Sequence, residues 1–123
     1  MGTGGLLYLG RTKTTYSNKT GSQTIQTGVV PLDRYYLVYV HLITVNYTGP
    51  MEFVEGIFGY KITTPYGESS DTEIINGGVT TASLRSGLIV VGPGETYSVS
   101  TTATGFMINS MAVYVEEFAA QTY

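Results

Sequence analysis

Cysteine and tryptophan are absent from this 123-residue chain, histidine occurs once, and only 12% of its residues are charged. Without cysteine there is neither a disulfide nor a thiolate zinc site, and the redox compartment leaves no trace. A single histidine, His41, excludes multi-histidine metal sites, and any Ser-His-Asp triad or imidazole base would have to use that one ring. It lies between Val40 and Leu42, where a histidine is far more often a satisfied strand residue than a catalyst. No apolar run approaches the roughly 18–20 residues that cross a bilayer as a helix. The start, MGTGGLLYLG, has neither the basic region nor the long apolar region of a secretory signal. Leu6 stands where a myristoylation pattern wants Ser or Thr. The chain is therefore expected to be made in the cytoplasm and kept there, or assembled there into something larger.

Scarce charge has a second consequence. At about half the roughly 25% usual for soluble domains, it leaves the surface to Thr, Ser, Gly, Asn and Tyr. A net charge of −3 with a pI near 4.9 disfavours nucleic-acid phosphates. Eleven tyrosines point instead to surfaces that are half apolar and half wet, as contacts with neighbours are.

The densest stretch is Tyr35–Tyr47, YYLVYVHLITVNY, β-branched and aromatic throughout. Its alternate sets, Tyr35, Leu37, Tyr39, His41, Ile43, Val45 and Tyr36, Val38, Val40, Leu42, Thr44, Asn46, are both mostly apolar. A strand with one wet face would be apolar on one set only. We expect a central strand covered on both faces, the second cover coming from another copy or another protein. Tyr47-Thr48-Gly49-Pro50 should turn it into a hairpin with Met51–Ile62, where Gly56 and Gly59 suggest a bulge or the close approach of another backbone.

The rest reads as short strands and turns. Met1–Gly5 is glycine-rich, Leu6–Leu9 is a brief apolar piece able to pair with a sheet edge, and Arg11–Gly21 reads as an exposed strand and turn. Ser22–Thr27 is a weak strand and Pro31 blocks a ladder bond. Thr63–Asp71 reads as a loop, Thr72–Ile75 and Val79–Leu84 as strands around Asn76-Gly77-Gly78, and Leu88–Val91 as another. Gly92-Pro93-Gly94-Glu95 has the type II turn arrangement. Glu95–Thr102 and Gly105–Phe118 close the chain. No sustained helical stripe occurs. The expectation is an all-β, antiparallel sandwich, jelly-roll-like or immunoglobulin-like, of about eight strands. Its parts would be residues 1–21 as an N-terminal arm and edge strand, 22–118 as the sandwich, and 119–123 as a tail.

Catalytic pairs are hard to assemble. Glu52 and Glu55, like Glu116 and Glu117, differ in parity and point to opposite faces. Glu68, Asp71 and Glu73 cluster around the expected loop, but their spacing matches no EF-hand, and acidic loops are usually just solvated. Asn18-Lys19-Thr20 and Asn46-Tyr47-Thr48 fit the glycosylation pattern and are read as turn residues. No catalytic residue, metal site or cofactor is expected.

The span from about Thr24 to Phe118 resembles a small β-sandwich domain of tailed-phage virion proteins. The likeness rests on the lead-in Val29-Val30-Pro31, the strand closing on Val45-Asn46-Tyr47-Thr48-Gly49, the turn within Leu88–Thr96, and Val115-Glu116-Glu117-Phe118 at the end. The bulky Tyr35-Tyr36 departs from that pattern, which places a charged or small polar lead-in there. The resemblance implies a non-enzymatic structural role in the virion: capsid decoration, head fibre, or tail component. It would be a homo-oligomer, a trimer being favoured, bound to a major capsid or tail protein, with no nucleic acid or membrane partner. The expected interface residues are Leu6, Leu7, Tyr8, Leu9, Tyr35, Tyr36 and Tyr39. The alternative from another class is a carbohydrate-binding module stacking sugars on Tyr66 and Tyr97. A minimal hydrolase would need convergent carboxylates that parity does not supply.

Overall fold

The computed structural model describes residues 5–47, 55–76 and 88–120; side chains at 42–47, 55, 75–76 and 105–106 are not described. Six strands run in it: β1 (Leu6–Val29), β2 (Arg34–Tyr47), β3 (Glu55–Thr64), β4 (Gly67–Asn76), β5 (Ile89–Val91) and β6 (Thr96–Ala120). All ladders are antiparallel and form one sheet, ordered β4-β3-β6-β2-β5, with β1 also on β6. The described residues are all-β, as the strand alternation and turn signals led us to expect.

The organising strand is β6. Along one edge it pairs with β1, from Val29↔Thr96 to Leu6↔Ala120. Its other edge is shared end to end, β3 taking Ser98–Thr104 and β2 taking Phe106–Ala119. The Tyr16 hydroxyl donates to Gln26 Oε1, ten residues further along the same strand. In a straight strand those α-carbons would stand roughly 33 Å apart. The ribbon therefore folds across its middle, where Asn18 and Gly21 take φ of 55° and 67° and the register slips between Lys19 and Gly21. Its two halves face each other, one widened by β2 and β5, the other by β3 and β4, and the sheet curls until it is nearly barrel-shaped.

The core lies between the halves: Val38 and Val40 of β2, Phe58, Tyr60 and Ile62 of β3, Val91 of β5, and Tyr97, Val99, Ala103, Ile108, Met111 and Val113 of β6. Period-two alternation sends Tyr97, Val99, Thr101 and Ala103 inward and leaves Ser98, Ser100 and Thr102 outside. Near Asn109 the register slips again, Val45 pairing Ile108 while Thr44 pairs Ser110. That bulge lets Ile108 and Met111 both face inward although their parities differ. Each large side chain fully buried here contributes about 1.5–3 kcal/mol.

One core atom is out of place. Thr101 is 1% exposed, and its hydroxyl has no hydrogen-bond partner among the described residues. Burying an unpaired hydroxyl costs about 1–3 kcal/mol. Thr101→Val keeps the shape and removes that cost, so the urea midpoint should rise by the equivalent of about 1 kcal/mol at unchanged slope. A lower midpoint would mean that the hydroxyl is paired in solution.

The structure corrects several local expectations. Tyr35–Tyr47 is a strand, but among the described residues it forms no ladder with β3, the described part of Met51–Ile62. β2 and β3 instead lie end to end on β6, and β5 pairs with Tyr36–Val38 on the other edge of β2. The expected loop Thr63–Asp71 shrinks to Pro65-Tyr66, because Thr64↔Gly67 and Thr63↔Glu68 already pair and Glu68–Asp71 continue as strand. Glu95–Thr102 and Gly105–Phe118 are one 25-residue strand. From Leu6 onward the expected arm is hydrogen-bonded into β1. The strands described number six against the eight expected; Val79–Leu84 and the turns at 48–50 and 77–78 lie outside the described residues.

Other expectations hold. Glu95 N donates to Gly92 O at 3.1 Å and Gly94 has φ 75°, the conformation that the third position of a type II turn requires. Gly94 N then bonds Val30 O, and Val30 N bonds Glu95 O, tying the turn to the end of β1.

Candidate functional site

Directly paired residues of an antiparallel ladder point to the same face. On the half containing β2, this register lays side chains out in rows across β1, β6 and β2. Tyr8, Phe118 and Tyr35 form one row; Arg11, Glu116 and Leu37 the next, which Val90 of β5 extends; Lys13, Tyr114 and Tyr39 a third; Thr15, Ala112 and His41 a fourth. All face away from the core, because Tyr36, Val38 and Val40 face into it.

The middle of this outer face is covered by its own sheet. Tyr114 is buried, with Tyr39 stacked on it at 5.0 Å and 11°. The Arg11 guanidinium lies 5.0 Å and the Lys13 ammonium 6.0 Å from its ring, and His41 is tilted against it at 6.4 Å. Such cation–ring contacts contribute about 0.5–1 kcal/mol each at exposed sites, and the side-chain stems of Arg11 and Lys13 roof apolar surface. A hydrogen bond and the nearby charge of Tyr39 hold the Arg11 guanidinium above its ordinary pKa. Burial, then the Glu116 carboxylate, raise the phenol of Tyr8. Tyr8 also packs on Phe118, centroids 5.3 Å apart.

Around this covered centre the periphery is wet. Leu6, Leu7, Tyr8 and Leu9 are all exposed, as are Leu88 and Val90 at the opposite margin, the last two at 62% and 64%. Tyr35 and Leu37 are half-buried. Over Tyr35–His41, the set Tyr36, Val38 and Val40 packs into the core, and the outer set Tyr35, Leu37, Tyr39 and His41 is half-buried, roofed in part by cations from β1.

The seven expected interface residues divide accordingly. Tyr8, Tyr35 and Tyr39 lie on the outer face, and Leu6 pairs with Ala120 beside them. Leu7 pairs with Ala119 on the opposite parity, and Leu9 falls in the register slip between Tyr8 and Gly10. Tyr36 turns inward, edge-on to Tyr97 at 6.3 Å, its phenol raised by burial and then by Glu117. Sequence reasoning missed Arg11, Lys13, Tyr114, Phe118 and Val90. Only the ladder register brings them beside β2, and no local pattern encodes that register.

The remaining candidates are dispersed. Glu116 faces outward and Glu117 the other way, 3.8 Å from Arg34. Glu68, Asp71 and Glu73 lie along β4, not around a loop; Glu68 pairs with Lys61 at 3.2 Å and is of opposite parity to the other two. No group of three His, Asp or Glu able to hold a metal occurs among the described residues. Asn18 occupies the fold of β1 and Asn46 lies within β2. No family model matches the chain, and no curated protein is significantly similar to it.

Proposed function

We propose that this chain is a non-enzymatic structural protein of a virion, a capsid-decoration, head-fibre or tail component, whose curled sheet is a jelly-roll-like sandwich. It assembles with other copies of itself through the outer face of the β2 half, and through them on a capsid or tail lattice. The virion reading rests on the strand-and-turn resemblance described above. The self-association reading rests on one observation: an aromatic cluster roofed at its centre and ringed by exposed Leu6, Tyr8, Leu88 and Val90, beside a β1 edge with no ladder partner among the described residues. Exposed apolar surface gathered around a packed aromatic centre is how association surfaces are built. An unpaired strand edge adds main-chain donors and acceptors to the same margin.

Two substitutions test it without touching the core. Tyr35→Ser with Val90→Lys places a charge and a small polar group on the margin and leaves Val38, Val40 and Tyr114 in place. The double variant should keep the circular dichroism and melting curve of the wild type and lose its assembled form in size-exclusion chromatography with light scattering. Unchanged assembly by a folded variant would rule this face out.

A further inference from the structure

The half of the sheet built on β3 and β4 has a different outer face. Register places Thr27, Ser98 and Thr63 in one row, Thr24, Ser100 and Lys61 in the next, and Ser22, Thr102 and Gly59 in a third. Where β1 ends, β6 begins and β3 turns into β4, this face opens into a shallow groove of about 520 Å³. It is lined by Thr27, Val29, Thr63, Pro65, Thr96 and Ser98, with Gly28, Thr64 and Tyr97 completing it. The volume lies within the range of small-molecule sites, about 300–1,000 Å³.

The lining is specific in its chemistry. It contains no ionisable acid or base apart from the Tyr97 phenol, which is committed to Gln26 Nε2 at 3.1 Å. Of the charged residues flanking it, Lys61 and Glu68 pair with each other at 3.2 Å, and the Glu95 carboxylate is turned to the Gly92 amide at 2.8 Å. Anions and cations therefore find no counter-charge in the groove. The hydroxyls of Thr27, Thr63, Thr96 and Ser98 have no side-chain partner among the described residues. Neighbouring strands stand about 4.8 Å apart, so the Thr27, Ser98 and Thr63 hydroxyls form a row of donors and acceptors at that spacing. Between them lie apolar patches, the threonine methyls, Val29 and Pro65.

The groove is also built rather than incidental. At Gly28 a Cβ would stand 2.4 Å from the Tyr97 ring, so the ring fills the space that any other residue would need. Tyr97 is in turn held by Gln26, which Tyr16 also engages. At the rim, the β3–β4 turn is fixed by Thr64, whose hydroxyl donates to Gly67 O at 3.1 Å and accepts from Tyr66 N at 3.2 Å. That turn holds out Tyr66, 84% exposed, directly after Pro65 of the lining. Tyr97, 7% exposed, is a wall and not a stacking platform.

From this arrangement we infer that the groove binds a neutral saccharide, its ring hydroxyls meeting Thr27, Thr63, Thr96 and Ser98 and its C–H face meeting Pro65, Val29 and the ring of Tyr66. A sugar alternates hydroxyl edges with apolar C–H patches, and this lining does the same without charge. The inference does not depend on self-association, which uses the opposite half of the sheet.

The test is a glycan array of neutral and acidic oligosaccharides, followed by calorimetric titration of the best neutral binder into the wild-type protein. Variants Tyr66→Ala and Ser98→Ala with Thr63→Val change only exposed or half-exposed groups, and their melting curves report that they fold. Saturable binding of a neutral oligosaccharide is expected, weakened about tenfold by Tyr66→Ala and at least as much by the hydroxyl double variant, since tenfold corresponds to about 1.4 kcal/mol. Three results would each overturn the inference: no neutral glycan bound, binding confined to acidic glycans, or binding that both folded variants retain in full.

Discussion

Phe58→Ala is expected to remove about 3–5 kcal/mol of stability, the range for truncating a fully buried aromatic side chain. Phe58 is 0% exposed, among the largest fully buried side chains, and lies on the strand that faces β2 across the core. It pairs on one side with Glu73 of β4, an edge strand without other ladder partners among the described residues, and on the other with Ala103 of β6. Little around it can collapse inward, because Ala103 is already small and β6 is fixed by β1. Domains of this size are stable by about 5–15 kcal/mol, so this one truncation should remove roughly a fifth or more of the total. Urea unfolding followed by circular dichroism measures it. A loss below about 1 kcal/mol would mean that the two halves of the sheet are not packed on each other at this point.

Gly59→Ala should be the second most damaging single change, although it adds only one methyl group. A Cβ at this position would stand 2.4 Å from the main-chain oxygen of Asp71 and 2.5 Å from Thr72 Cγ2. A main-chain oxygen in a ladder cannot swing away like a side-chain tip, so β4 must shift relative to β3. Overpacking of this kind costs about 1–3 kcal/mol and sometimes more. Gly67→Ala supplies the internal comparison. It lies on the same pair of strands with nothing within 4 Å of its would-be Cβ, and should change stability by no more than about 0.5 kcal/mol. Equal melting temperatures for the two variants would contradict the close approach of β4 to β3.

The two glycines also show what the sequence made legible. A glycine inside a β-branched run implies a bulge or a near backbone, and Gly59 meets that expectation. The strand character of Tyr35–Tyr47, the alternation of Tyr97 and Val99, and the Gly92–Glu95 turn were readable because they depend on local sterics. Which set of Tyr35–Tyr47 faces inward was not, because both sets are apolar and only the ladder with β6 decides between them. The long partners β1 and β6 were hidden for a related reason. Asn18, Gly21 and the residues around Gly105 have turn chemistry, but here they bend or bulge a continuing strand instead of reversing it. Pro65 and Gly67 similarly delimit a two-residue turn where their composition suggested a long loop. The outer aromatic face shared the same obscurity: Arg11 and Tyr114 are 103 positions apart in the chain, and only a completed ladder lays one over the other.

Self-association requires that another copy of the chain cover the wet margin of the aromatic face. Sedimentation equilibrium of the wild-type protein over a dilution series tests this most directly. A mass that is an integer multiple of 13.3 kDa, falling to 13.3 kDa for Tyr35→Ser with Val90→Lys, is the expected result. A wild-type mass of 13.3 kDa at every concentration would contradict it.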